Sequence, residues 1–316
     1  MKQWITRSIH VALVAGLMIM VASDAWAQYP KRDEKQLMDA AAPKKARVTP
    51  SKKHRLLAFT HAVGFRHDSI PYAAHMVQLM GDKTGAWETV ISDDPGMLAP
   101  EVLKSFDGIV MCSTTGELCM PNKHNDIDPA IVAALKERDS MLKKSFQEFV
   151  KNGGALIGIH AATDAWYEWE EYGNIIGGLF ISHPWTKDFT VGIKNDEPNH
   201  PLNKVFNGKG FSITDEIYTF RDEPYSRDKL RILLSIDTER TDMVSDRVQR
   251  AMKTKHKDFG VAWVKTYGKG RVFYCSLGHN EHIFWDKRIM QYYQDGIQFA
   301  LGDLDADTTP TGKLKK

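Results

Sequence analysis

The stretch GGALIGIHAATD at 153–164 limits what this chain can become more than any other. A glycine pair, Gly153-Gly154, ends a long helical period. The run 155–159 then reads as a short buried strand, and the chain turns at His160-Ala161-Ala162. A strand running straight into a small-residue turn outlines a strand-to-helix elbow, which lifts one side chain to the carboxyl edge of a parallel sheet. Hydrolases built on such an elbow carry Ser or Cys there. Here the raised residue is His160, with Gly158 and Ala162 as small neighbours. Imidazole at that place suits a metal ligand or a proton-transfer group better than an acyl carrier. A histidine satisfied at a strand end is the plainer alternative.

Around the elbow, apolar runs at 55–60, 87–92 and 107–113 read as strands. Helical periods begin near Pro71 and extend over 131–152. Strands alternating with helices predict an α/β fold with a doubly wound, mainly parallel sheet. Beyond the elbow the pattern loosens into an aromatic insert that reaches to Phe211. Strands are expected at 189–193, 211–220, 230–236, 260–267 and 271–277, with Gly268-Lys269-Gly270 as a hairpin signal. A helix over 285–301 closes the domain.

The first 27 residues read as a signal peptide: Lys2 and Arg7, an apolar run over 9–22, and Ala25-Trp26-Ala27 as a cleavage site before Gln28. That run is short for a bilayer crossing, so the reading is a periplasmic or secreted protein with no membrane span after cleavage. An uncleaved anchor is the alternative. Residues 28–53, rich in Lys, Asp and Ala with Pro43 and Pro50, read as a disordered linker. Residues 54–303 form one domain of about 250 residues, and 304–316 a flexible tail. The formal charge of +2, with basic residues scattered, leaves no nucleic-acid footprint. Three cysteines exclude a disulfide scaffold. Whether Cys112 and Cys119 pair stays open, and a homo-oligomer is compatible with everything above.

In an open α/β sheet, ligands bind outside the carboxyl ends of the strands. His61, Arg66 and His67 come after the first strand there, Thr114 and Glu117 after the third, His160 and Asp164 after the elbow strand, and His279 after the last. His183 and Glu216 come from the later insert. Of 12 histidines, an unexpected share falls at these ends. Three or four histidines with one carboxylate make the ligand set of a divalent metal such as zinc, here His160, His183, Glu216 and His279. Neither HExxH nor HxH spacing occurs, so distant segments must assemble the set. Without a metal, His67, His160, Asp164 and His279 could act as acids and bases on a sugar hydroxyl or a carbon acid, with His67 the acid/base candidate. Arg66 would orient hydroxyls. Trp166, Tyr167, Trp185 and Tyr218 could stack on a sugar, which makes a small carbohydrate the expected partner; ordinary packing is the alternative for each ring.

Five segments then carry a resemblance: GFRHDSI at 64–70, GIHAATDAWYEW at 158–169, IIGGLFISHPW at 175–185, DEIYTF at 215–220 and AWVKTYGKGRVFYCSLGHN at 262–280. In this order they resemble the ThuA-like (trehalose utilisation) family across nearly the whole domain. The resemblance implies a flavodoxin-like, class I glutamine amidotransferase-like fold. It sets His160 where the amidotransferase cysteine would be and His279 near its triad histidine, so glutaminase chemistry is not expected. It further implies carbohydrate catabolism, through elimination or hydrolysis of a 3-keto glycoside or disaccharide. A non-catalytic carbohydrate-binding or sensing module on the same fold is the rival.

Overall fold

The computed structural model describes residues 30–121 and 127–314. Its strands are β1 (His54–Phe59), β2 (Trp87–Ser92), β3 (Gly108–Cys112), β4 (Thr115–Gly116), β5 (Ala155–Ile159), β6 (Asp164–Ala165), β7 (Phe180–Trp185), β8 (Thr190–Asn195), β9 (Phe211–Thr214), β10 (Ile217–Phe220), β11 (Arg231–Ile236), β12 (Gly260–Tyr267) and β13 (Gly270–Cys275). The helices are α1 (Arg32–Ala41), α2 (Ile70–Thr84), α3 (Pro100–Leu103), α4 (Pro129–Lys151), α5 (Glu170–Ile176), α6 (Asp246–Ala251) and α7 (Lys287–Ala300).

Nine strands form one sheet in the order β2-β1-β3-β5-β13-β12-β11-β8-β9. From β2 to β13 the pairing is parallel; β12, β11, β8 and β9 extend it antiparallel. Both faces of the inner parallel strands are covered, which is why β3 and β5 read as continuous apolar runs, whereas the edge strand β2 is partly exposed. Alternation assigns the faces. Leu56, Ala58, Val110, Ile157 and Phe273 pack with Met76, Val77 and Met80 of α2 and with Ile289 and Ile297 of α7. Leu57, Ile109, Leu156 and Tyr274 pack with Leu142, Phe146 and Val150 of α4 and with Tyr172 and Ile176 of α5. Ile157 has no exposed surface; truncating such a residue to Ala costs about 2–5 kcal/mol.

Two expectations change. The segment predicted as a linker is folded from residue 30 on: α1 buries Met38 completely. α7 grips the chain between α1 and β1, with Gln294 Nε2 donating to the Lys45 carbonyl at 2.9 Å, Gln298 Nε2 to that of Val48 at 2.9 Å, and Arg47 N donating to Gln298 Oε1 at 2.6 Å. Long-range bonds to two buried glutamines override a polar, proline-containing composition. The tail is held too, through Thr311 N to the Leu230 carbonyl at 2.9 Å and Arg231 to Asp307 at 3.1 Å. The signal peptide and the cleavage site before Gln28 lie outside the described residues. All three cysteines are free and buried. Among the described residues no helix is long and apolar enough to cross a membrane.

Candidate active site

The parallel strands β1, β3, β5 and β13 all end at the same edge, and each releases its polar loop there. His160 begins the turn after β5 with φ 46°, a left-handed backbone unusual for a side chain larger than glycine. Such a residue costs on the order of 1–3 kcal/mol and persists where its surroundings hold it. Tyr274 Oη does part of that, donating to the His160 carbonyl at 2.7 Å. Gly158 is required beneath it, since a Cβ there would come within 2.8 Å of the Tyr274 ring and 3.0 Å of Ile176. The expected elbow is therefore present, with imidazole at its tip.

His67, from the β1–α2 loop, and His279, from the loop after β13, approach this ring; the three ring centroids lie 4.9–5.2 Å apart. Glu216 enters from the break between β9 and β10, where the predicted strand 211–220 splits around Asp215-Glu216. One side-chain atom from each of His67, His160, Glu216 and His279 lies within 4.8 Å of all the others. His160 Nδ1 faces the Ser276 carbonyl at 2.8 Å. A carbonyl only accepts, so Nδ1 carries the proton and the Nε2 lone pair points into the cluster. Glu216 Oε1 is 3.2 Å from His279 Nδ1 and 3.8 Å from His160 Nε2, yet neither nitrogen has hydrogen-bond geometry to any partner. His67 Nδ1 is likewise buried without a partner. Two donors on a tetrahedral zinc ion at ordinary bond lengths stand about 3.3 Å apart. The donor types, their spacing and their unmet valences fit a divalent metal.

Electrostatics point the same way. Burial, reinforced by the neighbouring His279, pushes the His67 imidazole down to about 4. Burial, then His67 and His279, holds His160 well below the usual histidine range. Burial pulls His279 down as well, but the adjacent Glu216 carboxylate outweighs it and leaves the net shift upward. Two of the three rings thus stay neutral near pH 7 and offer lone pairs.

Asp215, wholly buried, takes the Gly278 N–H at 2.7 Å and the Asn280 N–H at 2.8 Å on its two oxygens. It clasps the amides on either side of His279 while its neighbour Glu216 joins the cluster. Burial, against those two bonds, raises its carboxyl to about 7. The sequence carried only an acidic pair as a signal of this role.

The other expected residues divide. His183 is exposed, with Nδ1 3.3 Å from Glu216 Oε2, on the opposite oxygen from His160 and His279; His67 takes the place expected for it in the ligand set. Tyr218 stands against His160 with ring centroids 4.6 Å apart, and its hydroxyl is 3.5 Å from His67 Nε2. Asp164 is half-buried; burial raises its carboxyl to about 6, opposed by the neighbouring Tyr167 hydroxyl and aided by Glu216. Tyr167 donates its hydroxyl proton to the Phe180 carbonyl at 2.9 Å and lies under the Arg221 guanidinium. Arg66 is exposed on the same loop as His67. Trp166 and Trp185 are corrections: both are completely buried. Trp166 packs among Phe146, Trp169 and Tyr172, and Trp185 packs on Phe259 with its indole N–H on the Asp242 carbonyl. An open groove of about 700 Å³ beside α3 and α4 includes Asp107, Gly153 and Gly154, at the amino ends of β3 and β5, so it opens on the edge opposite the histidines.

A mixed α/β sheet with a histidine at its elbow and a carboxylate–histidine cluster at its carboxyl edge defines an α/β scaffold whose elbow carries neither Ser nor Cys. The sequence matches the family model described as "ThuA: Trehalose utilisation" over residues 55–300, and the chain belongs to that family. None of the curated proteins matches it. Among solved structures it is similar to a putative ThuA-like protein from Bacteroides uniformis, with 19% identity and a TM-score of 0.59 over 84% of this chain and 99% of that one. A second, from Parabacteroides merdae, shares 15% identity with a TM-score of 0.50 over 84% of this chain and 92% of that one. A glutamine amidotransferase from Thermotoga maritima overlaps with a TM-score of 0.44 at 10% identity, over 79% of this chain and 99% of that one.

Proposed function

We propose that this ThuA-family chain is an exported enzyme that cleaves a 3-keto glycoside or disaccharide, using a divalent metal such as zinc held by His67, His160, Glu216 and His279. The observation that carries the reading is the convergence of three imidazoles, two buried and one partly buried, on one carboxylate, each ring with a buried nitrogen that no hydrogen bond satisfies. A cation bound there supplies positive charge to a transition state in which negative charge builds on a carbonyl oxygen. A 3-keto group acidifies the hydrogen on C2. Removing that proton delivers its electron pair towards C3, and as the pair returns to form the C1–C2 double bond, the C1–O bond breaks and the departing oxygen takes a proton. Asp164 is the base: its carboxyl is raised to about 6, so it both accepts and returns a proton near neutral pH. With His67 in the ligand set, its expected acid/base role passes to Asp164. Tyr167 orients the sugar, and the apolar packing behind it, which includes the buried Tyr218 ring, limits water.

The test is a product assay on 3-keto-trehalose and on trehalose, with and without chelator. Cleavage of the keto form alone is expected, abolished by chelator and restored by zinc. Cleavage of plain trehalose would sink the elimination, because nothing there acidifies C2. Sugar bound tightly but recovered unchanged would favour a binding module. For export, sequencing the amino terminus of protein recovered outside the cytoplasm should read Gln28 first; Met1 retained in a membrane fraction would favour an anchor.

A further inference from the structure

Phe65 is two-thirds exposed (67%), and it is the one aromatic ring among the exposed large apolar residues described. Scattered exposed apolar side chains are ordinary, but this one is neither scattered nor loose. Its loop is tied to β4 by three bonds: Val63 N and Gly64 N both donate to the Thr115 carbonyl, at 2.9 and 3.1 Å, and Thr115 Oγ1 donates to the Phe65 carbonyl at 2.7 Å. Gly64 and Gly116 let the two backbones touch; a Cβ on Gly116 would lie 2.6 Å from Gly64 N. β4 is paired in turn with β6, which carries Asp164. The clamp fixes the Phe65 backbone, and the ring lies edge-on to His67, centroids 4.8 Å apart and planes at 80°. Much of an apolar ring is thus left to solvent at the rim of the histidine cluster.

We infer that Phe65 is a specificity-determining residue that stacks against the apolar face of a pyranose and selects ring-form sugars. This role rests on the carbohydrate reading proposed for the cluster. In a chair pyranose the axial C–H bonds of one face present a weakly positive apolar patch, complementary to the negative face of an aromatic ring. With the backbone already held, contact costs only the rotamer freedom of the side chain, so part of the gain appears as affinity. Phe65 lay outside the aromatic set expected from sequence because it is isolated there, one ring between Gly64 and Arg66 with no periodic neighbours.

The test is calorimetric titration of the chelator-stripped full chain, which should not turn the keto sugar over, with trehalose and with 3-keto-trehalose, for the wild type, Phe65→Ala and Phe65→Trp. The exposed side chain makes both substitutions compatible with folding, and zinc stoichiometry serves as the check that the cluster is intact. The expected results are affinity about tenfold weaker in Phe65→Ala, recovery in Phe65→Trp, and a fluorescence change of the new tryptophan on titration. Equal affinity in Phe65→Ala and wild type would overturn the role of Phe65 while leaving the carbohydrate reading in place. Absence of binding by the wild type to either sugar would overturn both.

Discussion

The two halves of the sheet handle their buried and partly buried polar groups in opposite ways. In the antiparallel half, Arg227 donates to both oxygens of Asp258, at 2.9 and 2.8 Å, and reaches Asp196 at 3.4 Å. Asp196 accepts from Ser235 at 2.5 Å and Asp258 from Tyr225 at 2.9 Å. The unpartnered atoms there, Asn195 Nδ2, Asn203 Oδ1 and Arg231 Nε, are single atoms of groups bonded elsewhere. At the carboxyl edge of the parallel half, His67 Nδ1, His160 Nε2 and His279 Nδ1 all lack partners and all belong to residues that meet at Glu216. A buried polar atom without a partner costs about 1–3 kcal/mol. Several in one place mark a site shaped for something outside the chain, whereas closed networks mark structure.

That contrast can be broken by substitution. The largest effect is expected from His160→Ala, which should lower turnover by about a hundredfold or more and reduce bound metal to background in the same preparation. Asp215→Asn comes next. It keeps the shape but sets an amide N–H₂ against a backbone N–H beside His279, and outer-shell losses of this kind cost about 10–100-fold in metal affinity. In the antiparallel half, Arg227→Ala should lower unfolding stability by about 1 kcal/mol, since the guanidinium is partly solvated, and leave metal stoichiometry as it was; a loss of metal there would erase the distinction between the halves. The smallest change is expected for His183→Ala. Its ring lies in solvent beyond Glu216, so metal affinity should fall by only about threefold. A loss as large as that for His160→Ala would bring His183 back into the ligand set.

How far these halves can be read from sequence also differs. β5 falls at the residues its apolar run indicates, because a strand buried on both faces leaves a dense local signature; β2 and β12 also fall where expected, although β2 is a partly exposed edge strand. The elbow was legible for the same reason, with Gly158 and Ala162 marking the space His160 needs. The partners of His160 were legible only as a set of strand-end residues, since the topology that joins β1, β5 and β13 is not a local property. Trp166 and Trp185 misled because an aromatic in a polar stretch reads as surface, and only packing shows otherwise. α1 was missed because the anchors of its segment, Gln294 and Gln298, lie 249 to 251 residues further along the chain than the backbone groups they hold.

Zinc titration of chelator-stripped protein, read by calorimetry and elemental analysis, tests the cluster most directly. One zinc ion per chain is expected for the wild type, and none above background when His160 and Glu216 are replaced together by Ala and Gln. Stripped wild-type protein that takes up no zinc, manganese or iron, or a double variant that binds as the wild type does, would contradict the assignment.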